Sequence, residues 1–165
     1  MGRFHVKFQS ATAVAVDTAV GYLMCPAGNG YNLKRVDASL ITVASASAPP
    51  DQQCTLGIAP ATGAPTGTYT PATGFGILNQ NYPPALSLYV SGTVGWGTTQ
   101  PTFGAGTADP YQISCSSRGG GILNWEQPDE WQVIKGTAQG LVFVNRVNAL
   151  TTPLAWVIDV EWEEL

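Results

Sequence analysis

Asp159, Glu161 and Glu163 are the residues of this chain whose type and spacing first suggest chemistry. Alternate carboxylates on an extended segment stand about 6.6 Å apart on one face, within the range of separations that glycosidases use. Glycosidases, however, hold their carboxyls across a sugar in a cleft, not in a row on one surface. Calcium needs oxygen ligands converging from several directions, which a single strand face does not supply. The three acids therefore read as a solvated or subunit-facing charged surface. Glu126, Asp129 and Glu130, beside Trp125 and Trp131, form a second acidic cluster that reads as a polar loop.

General acid–base chemistry needs groups placed together with tuned protonation. The single histidine, His5, falls on the outward phase of a segment whose other phase is Phe4, Val6 and Phe8. A Ser-His-Asp arrangement would have to use His5, and no serine sits in a nucleophile-elbow motif. A zinc site built on His5 lacks ligands at any supporting spacing. Cys25, Cys54 and Cys115 are far apart, form no Cys-x-x-Cys, and cannot all be paired within one chain. They read as buried reduced thiols, with one disulfide and one free thiol as the alternative. The glycine runs match neither a dinucleotide fingerprint nor a P-loop. The sequence thus predicts no catalytic residue, no metal and no cofactor.

Tyr69, Tyr82, Trp96, Tyr111, Trp125 and Trp131 lie near turns or loops. Aromatic faces there suit a sugar platform, and equally a covered core or a subunit interface. A carbohydrate-binding module is therefore the alternative to a structural protein, alongside a tail or fibre component.

The elements that must position these residues are strands. Trp156, Ile158, Val160 and Trp162 alternate with Val157, Asp159, Glu161 and Glu163, which predicts a closing strand at the edge of a sheet with an apolar inner face. Phe4, Val6 and Phe8 predict a first strand. Further β segments fall at Ala11 to Tyr22, Val36 to Ala46, Cys54 to Ile58, Leu86 to Trp96, Ile113 to Cys115, Trp131 to Val133 and Leu141 to Val147. In the last of these, Leu141, Phe143 and Asn145 oppose Val142, Val144 and Arg146. The stretches 59–76 and 98–110 are rich in Gly, Pro and Thr and read as long loops. With 19 Gly and 12 Pro and no amphipathic helix, the chain is predicted to be all-β. One domain over 1–165, an antiparallel β-sandwich or small barrel, fits some eight short strands at hairpin spacing. A jelly roll is one such arrangement. The predicted core is Phe4, Val6, Phe8, Trp156, Ile158, Val160 and Trp162.

Composition narrows the function classes. Only 11% of residues are charged against 44% hydrophobic, and the net charge is −4; charge is under half the usual share of about 25%. Such a surface suits repeated assembly in a shell, fibre or coat. The seven cations are scattered, with only Lys34 and Arg35 adjoining, which argues against a groove that tracks phosphates and so against nucleic acid as a direct partner. No stretch reaches the roughly 20 apolar residues of a membrane-spanning helix, and the first residues lack the apolar run of a signal peptide. Synthesis in a cytoplasm is the expectation.

Trp131-Gln132-Val133, Gly140-Leu141-Val142-Phe143-Val144, Val157-Ile158-Asp159-Val160-Glu161-Trp162-Glu163-Glu164, and the strand–turn–strand pattern from Tyr22 to Ile41 resemble small head proteins of tailed bacteriophages, the minor capsid, decoration or cement proteins. The resemblance spans about half the chain and leaves both long loops without a counterpart. It implies an all-β protein of the virion, made in the host cytoplasm, that binds the major capsid protein as a homo-oligomer, a trimer by preference. On that reading the segment Met1 to Gln9 and the long loop carry the contacts. The candidate interface residues are His5, Lys7, Tyr69, Phe75, Tyr82 and Tyr111, and β-augmentation by an extended arm is one mode of attachment.

Overall fold

The computed structural model describes residues 3–10, 12–25, 30–43, 51–61, 78–79, 94–95, 103–104, 109–124, 132–135 and 139–165, with side chains at all of these except Phe8, 78–79, 94–95, Asn124 and 132–135. The described residues form eleven strands: β1 (Arg3–Gln9), β2 (Thr18–Met24), β3 (Gly30–Thr42), β4 (Gln53–Pro60), β5 (Leu78–Asn79), β6 (Val94–Gly95), β7 (Tyr111–Ser116), β8 (Gly121–Asn124), β9 (Gln132–Lys135), β10 (Gly140–Val147) and β11 (Leu154–Glu164). Every pairing is antiparallel. One sheet runs β5-β1-β11-β3-β8, with β9 also on β3; the other runs β6-β2-β10-β4-β7.

The pairings are nested. The first long strand pairs with the last (β1 with β11), the second with the next to last (β2 with β10), β3 with β8 and β9, and β4 with β7. Two further pairings, β11 with β3 and β10 with β4, gather this long ribbon into two sheets. β8 and β9 occupy one strand position in two pieces: Asn124 stands opposite Arg35, and Gln132 opposite Leu33. The two-residue strands β5 and β6 both come from the stretch between β4 and β7, and extend the sheets beyond β1 and β2 respectively.

One main core fills the space between the sheets. Trp156, Ile158, Val160 and Trp162 are fully buried there, with Phe4 stacked on Trp162 at a centroid separation of 6.0 Å. Each large side chain so buried contributes roughly 1.5–3 kcal/mol as an upper estimate. β11 is not an edge strand, as the alternation alone suggested, but lies between β1 and β3 along its length. Period two reports which face a residue takes and is silent about how many neighbours the strand has. The first sheet meets the second through Tyr31, whose hydroxyl donates to Leu23 O at 2.9 Å, and through Cys115 Sγ on Ala38 O at 3.3 Å.

Other boundaries move for local reasons. β2 starts only at Thr18, because Ala13 and Asp17 take left-handed backbone conformations as the chain crosses between sheets. β3 starts at Gly30, ahead of the apolar run at Val36, and Ala59 and Pro60 still belong to β4 rather than to the loop that composition suggested. The turn from Ser116 into β8 needs Gly120, where any Cβ would press on Ala38 O. The expected strand at Leu86 to Trp96 lies outside the described residues except for β6, and most of 59–76 and 98–110 does too.

Candidate functional site

The outer face of the first sheet gathers much of the chain's charge. β1 presents Arg3, His5 and Lys7, directly opposite Glu163, Glu161 and Asp159 of β11, and β3 adds Lys34, Arg35 and Asp37. A bulge places Lys34 as the extra residue between Arg35, opposite Glu161, and Leu33, opposite Trp162. The charges neutralise one another. Arg3 Nε contacts Glu161, His5 Nδ1 lies 3.5 Å from Asp159, Lys34 Nζ lies 2.8 Å from Glu163, and Arg35 pairs with Asp37 at 2.6 Å. Glu161 is only 8% exposed and Lys34 9%. Glu161 and Glu163 are thus tied to cations, whereas Asp159, with its side chain 36% exposed beside His5, keeps part of the solvated face that the spacing predicts. Among the described residues no three His, Cys, Asp or Glu side chains are grouped to hold a metal ion.

The outer face of the second sheet is built differently. Ala19, Tyr22, Met24, Ala59, Val142 and Val144 form a second apolar cluster, against which Ala61 and Phe103 pack. Arg146, the third member of the Val142–Val144 phase, lies at its margin with its side chain 4% exposed. Its guanidinium grips Asp109 through two bonds, Nε to Oδ2 at 2.7 Å and Nη2 to Oδ1 at 2.6 Å. It also reaches Asp17 at 3.0 Å and Gly104 O at 2.9 Å, and lies over the Phe103 ring at 5.2 Å. The hydrogen bonds to Asp109 hold its pKa above the usual guanidinium value against the opposing effect of burial. Gly57 makes room for this pair, since a Cβ there would overlap Asp109 Oδ2. The cluster pins the chain just before β7, and the crossing before β2, onto β10.

The other end of the β4–β7 pair holds an open cleft of about 390 Å³, lined by Gln53 to Thr55, Ser114 to Ser116, Gly119, Gly120, Val147 and Asn148. Among the described residues no charged side chain lines it. The outward residues of β7, Gln112 and Ser114, are exposed and uncharged, and Val147 is 50% exposed. Burial raises the Cys54 thiol and pushes Cys115 up to about 11, so both cysteines stay protonated and react slowly at neutral pH. No histidine approaches Ser114 or Ser116 among the described contacts, the one histidine being committed to the first sheet.

Of the predicted core residues, Phe4, Val6, Trp156, Ile158, Val160 and Trp162 are buried together, and the backbone of Phe8 lies in β1 opposite Ile158. Of the candidate interface residues, His5 and Lys7 belong to the charge ladder, and Tyr111 packs partly buried against the core. Tyr69, Phe75 and Tyr82 lie outside the described residues, as do Trp96, Trp125, Trp131 and the acids Glu126, Asp129 and Glu130. The first strand is no free arm: residues 3–9 are held in their own sheet between β11 and β5. Arg146, Asp109, Asp17 and Gly57 were not singled out by sequence reasoning. The usable signal was two adjacent polar residues, Asn145 and Arg146, inside an apolar strand. No family model matches the chain, and no curated protein or solved structure matches it either.

Proposed function

We propose that this chain is a noncatalytic jelly-roll subunit of a bacteriophage head, which decorates or cements the shell by bridging neighbouring capsomers. The jelly-roll reading is supported by the nested pairing, first strand with last and second with next to last, gathered by β11–β3 and β10–β4 into two facing sheets. Its partner is the major capsid protein, and it acts as a homo-oligomer, a trimer by preference.

One observation carries the functional reading: the unequal distribution of charge. The outer face of the first sheet collects and cancels its charges, whereas the cleft and the outward residues of β7 carry none. The cleft and the outward residues of β7 offer hydroxyls, amides, backbone and an exposed Val147 with no charge to desolvate, and suit burial against a subunit that answers their hydrogen bonds, with the exposed Arg118–Asp51 pair in the adjoining turn. A bound subunit stabilises the assembled shell by mass action, because it binds neighbouring capsomers together and not separated ones. Stable bridging needs about 1,000 Å² or more of buried surface. For the carbohydrate alternative, Tyr111 is partly buried against the core, and the other five aromatics lie outside the described residues.

The test is light scattering of the purified chain together with mass spectrometry and a cryo-electron map of native particles. An oligomer in solution and density for this chain on particles are the expected results. A monomer absent from every particle would remove the proposal.

A further inference from the structure

Cys54 of β4 and Cys115 of β7 stand directly opposite each other in an antiparallel pair. Directly opposed residues project to the same face, and both side chains lie in the main core. Opposed Cα atoms in such a pair are about 4.5–5.5 Å apart, inside the roughly 4.4–6.8 Å window of a disulfide. Both residues are thiols in this structure. Cys25 is far away: its N–H donates to Gln139 O, beside the start of β10, whereas Thr55 stands opposite Val147 at the end of that strand. That separation is on the order of 20 Å along an extended strand.

We propose that Cys54 and Cys115 form an oxidation site, at which a small disulfide such as oxidised glutathione closes an intramolecular cross-strand bridge. The route is open in two respects. Both cysteines line the cleft on the second sheet, and β7 is the last strand of that sheet among the described residues. Loosening of this one strand, which gives the core only Ile113, Cys115 and the partly buried Tyr111, exposes both thiols.

The exchange balances in two steps. One thiol gives up its proton, and the thiolate attacks a sulfur of oxidised glutathione, forming a mixed disulfide and releasing one glutathione thiolate, which takes up a proton. The opposing thiol is deprotonated in turn and displaces the second glutathione. Two cysteines are thereby oxidised by two electrons and one glutathione disulfide is reduced to two thiols. Burial keeps both thiols protonated at neutral pH, so the bridge forms slowly there and faster in mild alkali. Cys115 must also leave Ala38 O, which it meets at 3.3 Å. Once closed, the bridge ties β4 to β7 covalently and so fastens both ends of the long stretch between them. This inference stands independently of any partner of the chain.

The experiment treats the purified full-length chain with excess oxidised glutathione in native buffer at mildly alkaline pH, followed by intact mass and a peptic map. The expected product has lost the mass of two hydrogens and yields a linked Cys54–Cys115 peptide, with Cys25 still open to alkylation after unfolding. Its melting temperature rises and returns when dithiothreitol is added, and Cys25→Ser changes none of this. The proposal is overturned by stable glutathione adducts without an internal bridge, by any bridge that includes Cys25, or by thiols that stay reduced until the chain is unfolded in urea.

Discussion

Trp156 Nε1 donates a 3.1 Å hydrogen bond to Asn145 Oδ1, in the middle of the main core. Asn145 is fully buried, and its Nδ2 donates to Ala15 O at 3.1 Å and Asn148 O at 3.0 Å, with Val14 O at 3.5 Å. One side chain therefore joins β10, β11, the crossing before β2 and the turn after β10. Trp156 is also fixed at its backbone, where Ser10 Oγ accepts from its N–H and its carbonyl accepts from Ser10 N–H.

Asn145→Ala leaves the indole N–H and two carbonyls without this partner. The buried indole N–H so stranded costs about 1–3 kcal/mol, while the carbonyls belong to the exposed Ala15 and Asn148 and turn to water, so the expected loss is roughly 2–3 kcal/mol in urea denaturation. Trp156→Phe keeps most of the ring but abandons Asn145 Oδ1, and should cost less than Trp156→Ala. The double variant Asn145→Ala with Trp156→Phe should lose less than the two single losses added together, because the indole bond disappears in each.

Removing one partner from the Arg146–Asp109 pair strands a charge whose side chain is wholly buried. Arg146→Met is expected to cost about 3–5 kcal/mol, the usual loss for breaking a buried pair. Gly57→Ala should act on the same pair without touching either charge, by displacing Asp109. Both variants should speed proteolytic cleavage between Pro60 and Tyr111, read by mass spectrometry at short digestion times.

The charge ladder should show graded effects. Lys34 and Glu161 are almost wholly buried, so Lys34→Met and Glu161→Gln are expected to cost on the order of 1–2 kcal/mol. The more exposed pair Arg35–Asp37 should contribute well under about 1 kcal/mol, and this should fade in high salt. Chemical denaturation of Arg35→Met at low and high ionic strength checks it.

Stability should fall in alkali. Burial pushes the Cys115 thiol from its ordinary value near 9 up to about 11, so the folded chain keeps a proton that the unfolded chain releases. That contribution is complete below about pH 9 and is lost as pH rises to about 11, a change of roughly 2–3 kcal/mol. Tyr22, pushed from 10 to about 12 by burial, extends the fall to higher pH. Urea midpoints measured from neutral pH upward should drop over this range, and Cys115→Ala should flatten the lower part.

The faces of the strands were legible in the residue pattern alone. Leu141, Phe143 and Asn145 do turn inward while Val142, Val144 and Arg146 turn outward, and Phe4 and Val6 oppose His5 and Lys7 as the alternation required. Side-chain phase is a local property of an extended backbone, so period two reports it directly. The character of a face was less legible. Nothing near Asp159, Glu161 and Glu163 in sequence announces Arg3 and Lys34, which arrive from strands more than a hundred residues away.

The candidate site shows the same division. The chain by itself determined an all-β body, the residues that face its core, and an unusually small number of charges, because composition and alternation act within a few residues. The tertiary structure decided which strands are neighbours. That choice made β11 a central strand, set Cys54 opposite Cys115, brought Asp109 beneath Gly57 onto Arg146, and turned a row of acids into a neutralised ladder. Each of these relations joins residues far apart in sequence across one sheet or between two, and only the packed chain brings them within bonding distance.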